Sequence, residues 1–256
     1  MKLFGQAVAS MYLWVIALLL LLAAYSAYTL HQFPFSLVIA AILAPLVELA
    51  ILYATKKPLK VPWSGMITGL IIGEVAPITT PVLAITIACI AAMLSKYFIR
   101  LKSSNVFNPA TLGMLVGLGL FAIGDEWWGA AGISLYGLAI PASIVLVIAA
   151  YEASRLVTAL SFIISITVLS ILLSGSVSLS GAGIALLGVN YFFALLMMAD
   201  PKTSPHSNRA QAVYGAGVGV LYAFLAVLGI AYSYFLALLL GNILFAFYRY
   251  KGRKIF

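Results

Sequence analysis

The sequence predicts an all-α, polytopic membrane protein of about ten transmembrane helices, arranged as two inverted five-helix halves with broken helices. Three observations carry that expectation. The first is composition: 64% of the 256 residues are hydrophobic and 8% are charged, whereas soluble domains run near a quarter charged. A water-soluble fold cannot hide that much apolar surface, so part of the solvent must be lipid. The second is that the apolar residues fall into helix-length windows. The third is the placement of the cations, which occupy alternate gaps between those windows.

Taken in order, the windows are Tyr12–Leu30, Phe35–Thr55, Ser64–Val75, Pro81–Leu94, Val106–Ile123, Ala131–Ala150, Leu156–Leu173, Gly183–Ala199, Ala212–Ile230 and Phe235–Tyr248. A full span needs about 20 apolar residues, and shorter ones are tolerated where a broken helix is buried in protein. The third and fourth windows are short, and Pro77 and Pro81 of "APITTP" separate them. The first window has a rival reading. Lys2, the apolar run and "AYSAY" also fit a cleaved secretory signal, although the run is longer than the usual signal core.

All 14 Lys and Arg residues fall on one side of this arrangement: Lys2; Lys56, Lys57 and Lys60; Lys96, Arg100 and Lys102; Arg155; Lys202 and Arg209; and Arg249, Lys251, Arg253 and Lys254. Cytoplasmic loops attract Lys and Arg. The expected location is therefore the cytoplasmic membrane, multi-pass, with both termini in the cytoplasm. Ten spans form one integral membrane domain, 1–256, with half-repeats at 1–128 and 129–256. Internal similarity is faint: "SGMITGLIIG" at the third span matches "SGAGIALLGV" at the eighth, and "ITTP" matches "KTSP". Chance similarity explains as much.

The net charge of +8 raises the question of nucleic acid, but the cations are accounted for by topology, so the expected partners are the lipid bilayer and other proteins, not nucleic acid. One cysteine, Cys89, and two histidines, His31 and His206, are too few for an iron–sulfur cluster or a bis-histidine haem held by this chain alone. No metal site is expected, and any redox cofactor should be organic. There is no phosphate loop, no GxGxxG after a strand and no HExxH.

Two polar constellations interrupt the apolar pattern. In "MMADPKTSPHSNRAQAVYGAGVGVL" (Met197–Leu221), Asp200-Pro201 ends the eighth span and Lys202, Thr203, Ser204, Ser207 and Arg209 add hydroxyls and cations. A helix start beside hydroxyls and cations suits an anion; a capped, solvated loop is the plainer alternative. In "KYFIRLKSSNVFNPATLGMLVGLGL" (Lys96–Leu120), basic residues lead to Asn108-Pro109 and Thr111. Asn108 is disfavoured from helix by the proline after it, which reads as a backbone break or as a simple helix cap. Within the spans, Glu48 and Glu74 are costly acids, with Glu74 close enough to "APITTP" for hydration from outside. Asn190 and Asn242 fit interhelical hydrogen bonding. These four are the candidates for an ion pathway. "GDEWWGA" (Gly124–Ala130) places Trp127 and Trp128 where tryptophan anchors a membrane interface.

Both constellations resemble the signature segments of the NqrB/RnfD family. Its members are the membrane B subunit of the sodium-pumping NADH:quinone reductase and the D subunit of the Rnf ferredoxin–NAD oxidoreductase. The family pattern F-N-P-A-x-x-G is matched by Phe107-Asn108-Pro109-Ala110 and Gly113. The pattern M-A-T-D-P-x-T/S-S, a basic residue and Y-G-A is matched by Met198-Ala199-Asp200-Pro201-Lys202-Thr203-Ser204, Arg209, Tyr214, Gly215 and Ala216, without the threonine between alanine and aspartate. The resemblance covers most of the chain and implies a membrane subunit in ion-coupled electron transport, working with other subunits, with flavin as carrier. Family members with covalent FMN attach it to the threonine of an S/T-G-A-T segment. The nearest match is "SGAG" (Ser180–Gly183), with Gly183 at the threonine's place, so no covalent attachment is expected. The implied noncovalent flavin, FMN or riboflavin, would be contacted by Asn108, Thr111, Asp200 and Thr203, with Lys202 or Arg209 near any phosphate. The chain is then a non-autonomous subunit of an oxidoreductase or translocase. Two other classes fit the same pattern: a solute or ion transporter without redox cofactor, whose path Glu48, Glu74 and the asparagines would line, and a cofactor-free scaffold that recruits redox subunits.

Overall fold

A computed structural model describes residues 2–101, 104–129, 139–175 and 179–251, with side chains described for 12–101, 104–129, 146–175, 180–181 and 183–250. The start of the sixth expected span and Lys102, Arg253 and Lys254 lie outside the described residues, as do the side chains of Lys2 and Lys251. Among the described residues the chain is helical almost throughout: α1 (Lys2–Leu30), α2 (Phe35–Ala54), α3 (Trp63–Val75), α4 (Val82–Phe98), α5 (Pro109–Leu120), α6 (Ala139–Glu152), α7 (Leu156–Ser174), α8 (Leu179–Leu187), a π-helical turn at Phe193–Met197, α9 (Asn208–Val227) and α10 (Ser233–Lys251). The two-residue strands β1 (Arg100–Leu101) and β2 (Ser104–Asn105) lie between α4 and α5.

Among the described residues five helices are long and apolar enough to cross a bilayer: α1 from Tyr12, α2, α7, α9 and α10. They coincide with the first, second, seventh, ninth and tenth expected windows. The helices α3, α4 and α5 are apolar but shorter. At 1.5 Å per residue, the 13 residues of α3 extend about 20 Å, short of a hydrocarbon core of roughly 30 Å. The outward surface suits lipid, with Trp14, Leu172, Leu187 and Val227 among its exposed side chains.

Prolines set the starts. Pro34, Pro62 and Pro81 stand at the N-caps of α2, α3 and α4, and Pro109 opens α5, where a missing N–H costs nothing. Gly175 closes α7 in the left-handed conformation, φ 66°. The expected eighth span is not continuous. The helix α8 ends at Leu187, and the chain resumes as the π turn at Phe193–Met197. Asn190 accepts a hydrogen bond from the Phe193 N–H (2.9 Å) across that gap.

Contacts divide the chain into two compact units, Met1–Arg100 with Pro109–Val145, and Leu101–Asn108 with Leu146–Phe256. In the first, α3 lies antiparallel against α2 through Gly65, Gly69 and Gly73, one turn apart. A Cβ on Gly65 would come within 3.0 Å of the Pro45 Cα; one on Gly69 would overlap the Ala40 carbonyl, and one on Gly73 the Leu37 Cα. Small residues at this spacing let membrane helices touch backbone to backbone. The helix α5 approaches α4 in the same way, with Gly113 facing the Ala88 carbonyl and Gly117 facing Ala84 and Ala88. The helix α1 packs on α3, burying Leu19 and Leu22. In the second unit α9 runs parallel to α7, with Gly215 against Thr158 and Gly219 against Ser165, and α10 returns beside α9.

The tryptophan-containing loop corrects the interface-anchor expectation for Trp128. Trp128 is 3% exposed and donates its indole N–H to the Gly73 carbonyl (2.8 Å). The backbone N–H groups of Glu126 and Trp127 both point at the Val75 carbonyl, and the Glu126 carboxylate accepts from the Ile78 N–H (3.3 Å). The loop therefore caps the C-terminal end of α3, whose last carbonyls have no helical partner.

Candidate functional site

The polar residues of the second unit converge on one corner, where the chain leaves the π turn and enters α9. Asp200 organises it locally. Its carboxylate accepts from the Lys202 N–H (3.0 Å) and the Thr203 hydroxyl (3.2 Å), and its carbonyl accepts from the Ser204 hydroxyl (2.7 Å). This is an aspartate-anchored turn in which Pro201 stops the preceding helix. Ser207 caps α9, accepting from the Ala210 N–H (3.4 Å).

Arg155, at the N-cap of α7 and 1% exposed, holds the turn from the side. Its Nε donates to the Ser204 Oγ (2.9 Å), and its Nη2 to the Pro201 carbonyl (3.2 Å) and the His206 Nδ1 (2.8 Å). Its Nη1 donates to the Ser154 carbonyl (2.9 Å). Gln211 braces the same spot, donating to the Ser154 (2.8 Å) and His206 (3.0 Å) carbonyls and accepting from the Thr158 N–H (3.3 Å). Burial pulls the Arg155 guanidinium below its usual value, and the Asp200 carboxylate acts in the opposite direction.

A guanidinium only donates, so His206 must offer Nδ1 as an acceptor and carry its proton on Nε2. Burial, then the Arg155 and Arg249 cations, hold its pKa below the usual imidazole value. The unfolded chain therefore takes up a proton first as pH falls. The stabilisation from neutral His206 is complete above about pH 6.5 and is lost as pH drops through the lowered folded value. Protection of residues 201–211 against amide exchange, corrected for the intrinsic pH dependence of exchange, is expected to be lower at pH 5 than at pH 7.5, and a His206→Gln variant is expected to lose that difference. Equal corrected protection of the native protein at both pH values would refute the coupling.

Asn242 of α10 joins the two sequence constellations. Its Oδ1 accepts from the Asn108 N–H (3.0 Å), and its Nδ2 donates to the Thr203 carbonyl (3.3 Å) and the Tyr214 hydroxyl (2.6 Å). The Asn108 side chain donates to the Met197 carbonyl (3.0 Å). Asn108, Asp200 and Thr203 are thus brought together, with Asn108 and Thr203 buried. Lys202 and Arg209 stand exposed at the edge of the corner. Thr111 belongs to the first unit, buried in the first turn of α5. Arg155 and Gln211, which hold the corner together, were not marked by sequence; Arg155 is the lone cation of its gap and reads there as a topological charge.

The four pathway candidates do not form one group. Glu48 is buried in α2, its Oε1 2.6 Å from the Lys96 Nζ and 2.7 Å from the donating Tyr97 hydroxyl. Glu48 is therefore one half of a buried ion pair. Glu74 lies near the other end of α3 from Gly65, the residue that faces Glu48. It is 0% exposed, which removes the expected access from outside, and it sits against Gly129. Its carboxyl has no hydrogen-bond partner among the described residues. Asn190 caps the π turn and Asn242 is the hub described above.

No family model matches the chain, and no curated protein sequence matches it.

Proposed function

We propose that this chain is a membrane subunit of an NqrB/RnfD-like ion-coupled electron transport complex, with ten spans, both termini cytoplasmic and flavin bound noncovalently. One observation carries the reading. The two segments that bear the resemblance are about ninety residues apart in sequence, yet Asn108 is tied to the Met197 carbonyl and, through Asn242, to Thr203. A shared cofactor corner requires that convergence. The Asn108 amide and the Thr203 and Ser204 hydroxyls are occupied in holding the loop, so they shape the corner. Exposed Lys202 supplies charge for a phosphate, as in FMN, and other redox subunits supply the donor and acceptor. A covalent link is not part of the proposal, since Gly183 stands where the acceptor threonine would be.

Purified protein is expected to show flavin absorbance near neutral pH, with all flavin released to the supernatant on acid precipitation. Asn108→Ala and Asp200→Ala are expected to lower the flavin content severalfold. A colourless protein that still supports electron transfer in its complex would sink the proposal. The second reading, a small-solute or ion transporter without redox cofactor, draws on Glu74, because an acid buried in a membrane helix marks an ion or proton path by default. Ion flux through flavin-free liposomes containing this chain alone, lost in Glu74→Gln, would select it.

A further inference from the structure

The second unit has an apolar groove of about 690 Å³ between α9 and α10, with Pro205, Ser207 and Arg209 at one end. Its walls include Val213, Leu221, Leu244, Phe245 and Tyr248. Val213 and Tyr248 are 75% and 68% exposed, so the groove opens outward along its length. Gly217 lies on its floor, where a Cβ would meet nothing within 4 Å.

We infer that this groove binds one acyl chain of an anionic phospholipid, with the headgroup phosphate at Arg209. Length is the first argument. From Arg209 to Leu221 is twelve residues of α9, about 18 Å at 1.5 Å per residue, close to the roughly 15 Å of one hydrocarbon leaflet. The groove ends there instead of crossing the membrane, as a partner helix would require. Charge is the second argument. Arg209 is exposed at the mouth, beside the capping hydroxyl of Ser207, and Arg249 lies over the Phe245 ring (5.4 Å). Among the described residues these cations stand at the headgroup end, and the walls below them are mostly apolar. A neutral isoprenoid tail would fit the walls but leave the mouth unmatched.

Native mass spectrometry of the full-length protein, released from micelles containing equal phosphatidylglycerol and phosphatidylcholine, tests this. The native protein is expected to retain phosphatidylglycerol in preference. Arg209→Gln should lower that preference about fivefold, the usual effect of one basic residue at an anionic surface, while the charge-matched control Lys60→Gln leaves it unchanged. Gly217→Leu puts a side chain into the groove from a position where a Cβ meets nothing within 4 Å, and should abolish retention of both lipids with the helical circular dichroism intact. Equal retention of the two lipids, retention undiminished in Gly217→Leu, or a lipid-free dimer would each overturn the inference. Should Gly217→Leu misfold, the Arg209→Gln result alone decides it.

Discussion

Replacing Lys96 by Met is expected to destabilise the protein by about 3–5 kcal/mol, the usual cost of stripping one partner from a buried ion pair. The two side chains are 7% and 2% exposed and 2.6 Å apart. Without the ammonium, Glu48 keeps the Tyr97 hydroxyl on Oε1, at a position packed closely against α3, where a Cβ on Gly65 would crowd its carboxylate. The double variant Lys96→Met with Glu48→Gln should recover most of the loss, because no bare charge is then buried and the two sites are in direct contact. Unfolding midpoints in mixed micelles measure both. A single variant within about 1 kcal/mol of the native protein would mean that water reaches this pair.

Arg155→Met should cost on the order of 3–4 kcal/mol, from several charge-assisted hydrogen bonds at roughly 1.5–3 each, partly offset by relaxation of the loop. The loss is concentrated because one planar fork reaches Ser204, Pro201, Ser154 and His206 at once. Arg155→Lys should recover less than half, since an ammonium at the same place cannot serve all four directions. Proteolysis within 200–211, rather than global unfolding alone, distinguishes collapse of the corner from general weakening. A lysine variant indistinguishable from the native protein would show that charge, not geometry, holds the turn.

The long apolar windows were legible because hydrophobic length and cation placement are one-dimensional signals. Windows such as Phe35–Thr55 and Leu156–Leu173 match α2 and α7 almost residue for residue. The proline breaks were equally legible, since Pro81 and Pro109 act on their own backbone. The interruption after Leu187 was not, for no proline lies there and the run stays apolar; Gly188 and Asn190 are its local marks, and an asparagine in an apolar run fits a contact between helices equally well. Contacts distant in sequence were hidden for a different reason. Glu48 and Lys96 are 48 residues apart, and nothing local to either names the other. Of the corner, Asp200 and Asn108 could be found by their prolines. Arg155 could not be separated from ordinary positive-inside charge, and Trp128 was hidden by the general habit of tryptophan at interfaces.

The glycine contacts between α2 and α3 carry a mechanical consequence. Where side chains separate two helices, rotamers can change and the pair can slide by shear. Here backbone approaches backbone at three successive turns, through Gly65, Gly69 and Gly73, which leaves few side-chain rotamers to reorganise between the helices. The pair behaves as a splint with Glu48 near one end and Glu74 near the other. A shift of α3 on α2 that alters the surroundings of Glu48 is therefore expected to displace Glu74 as well.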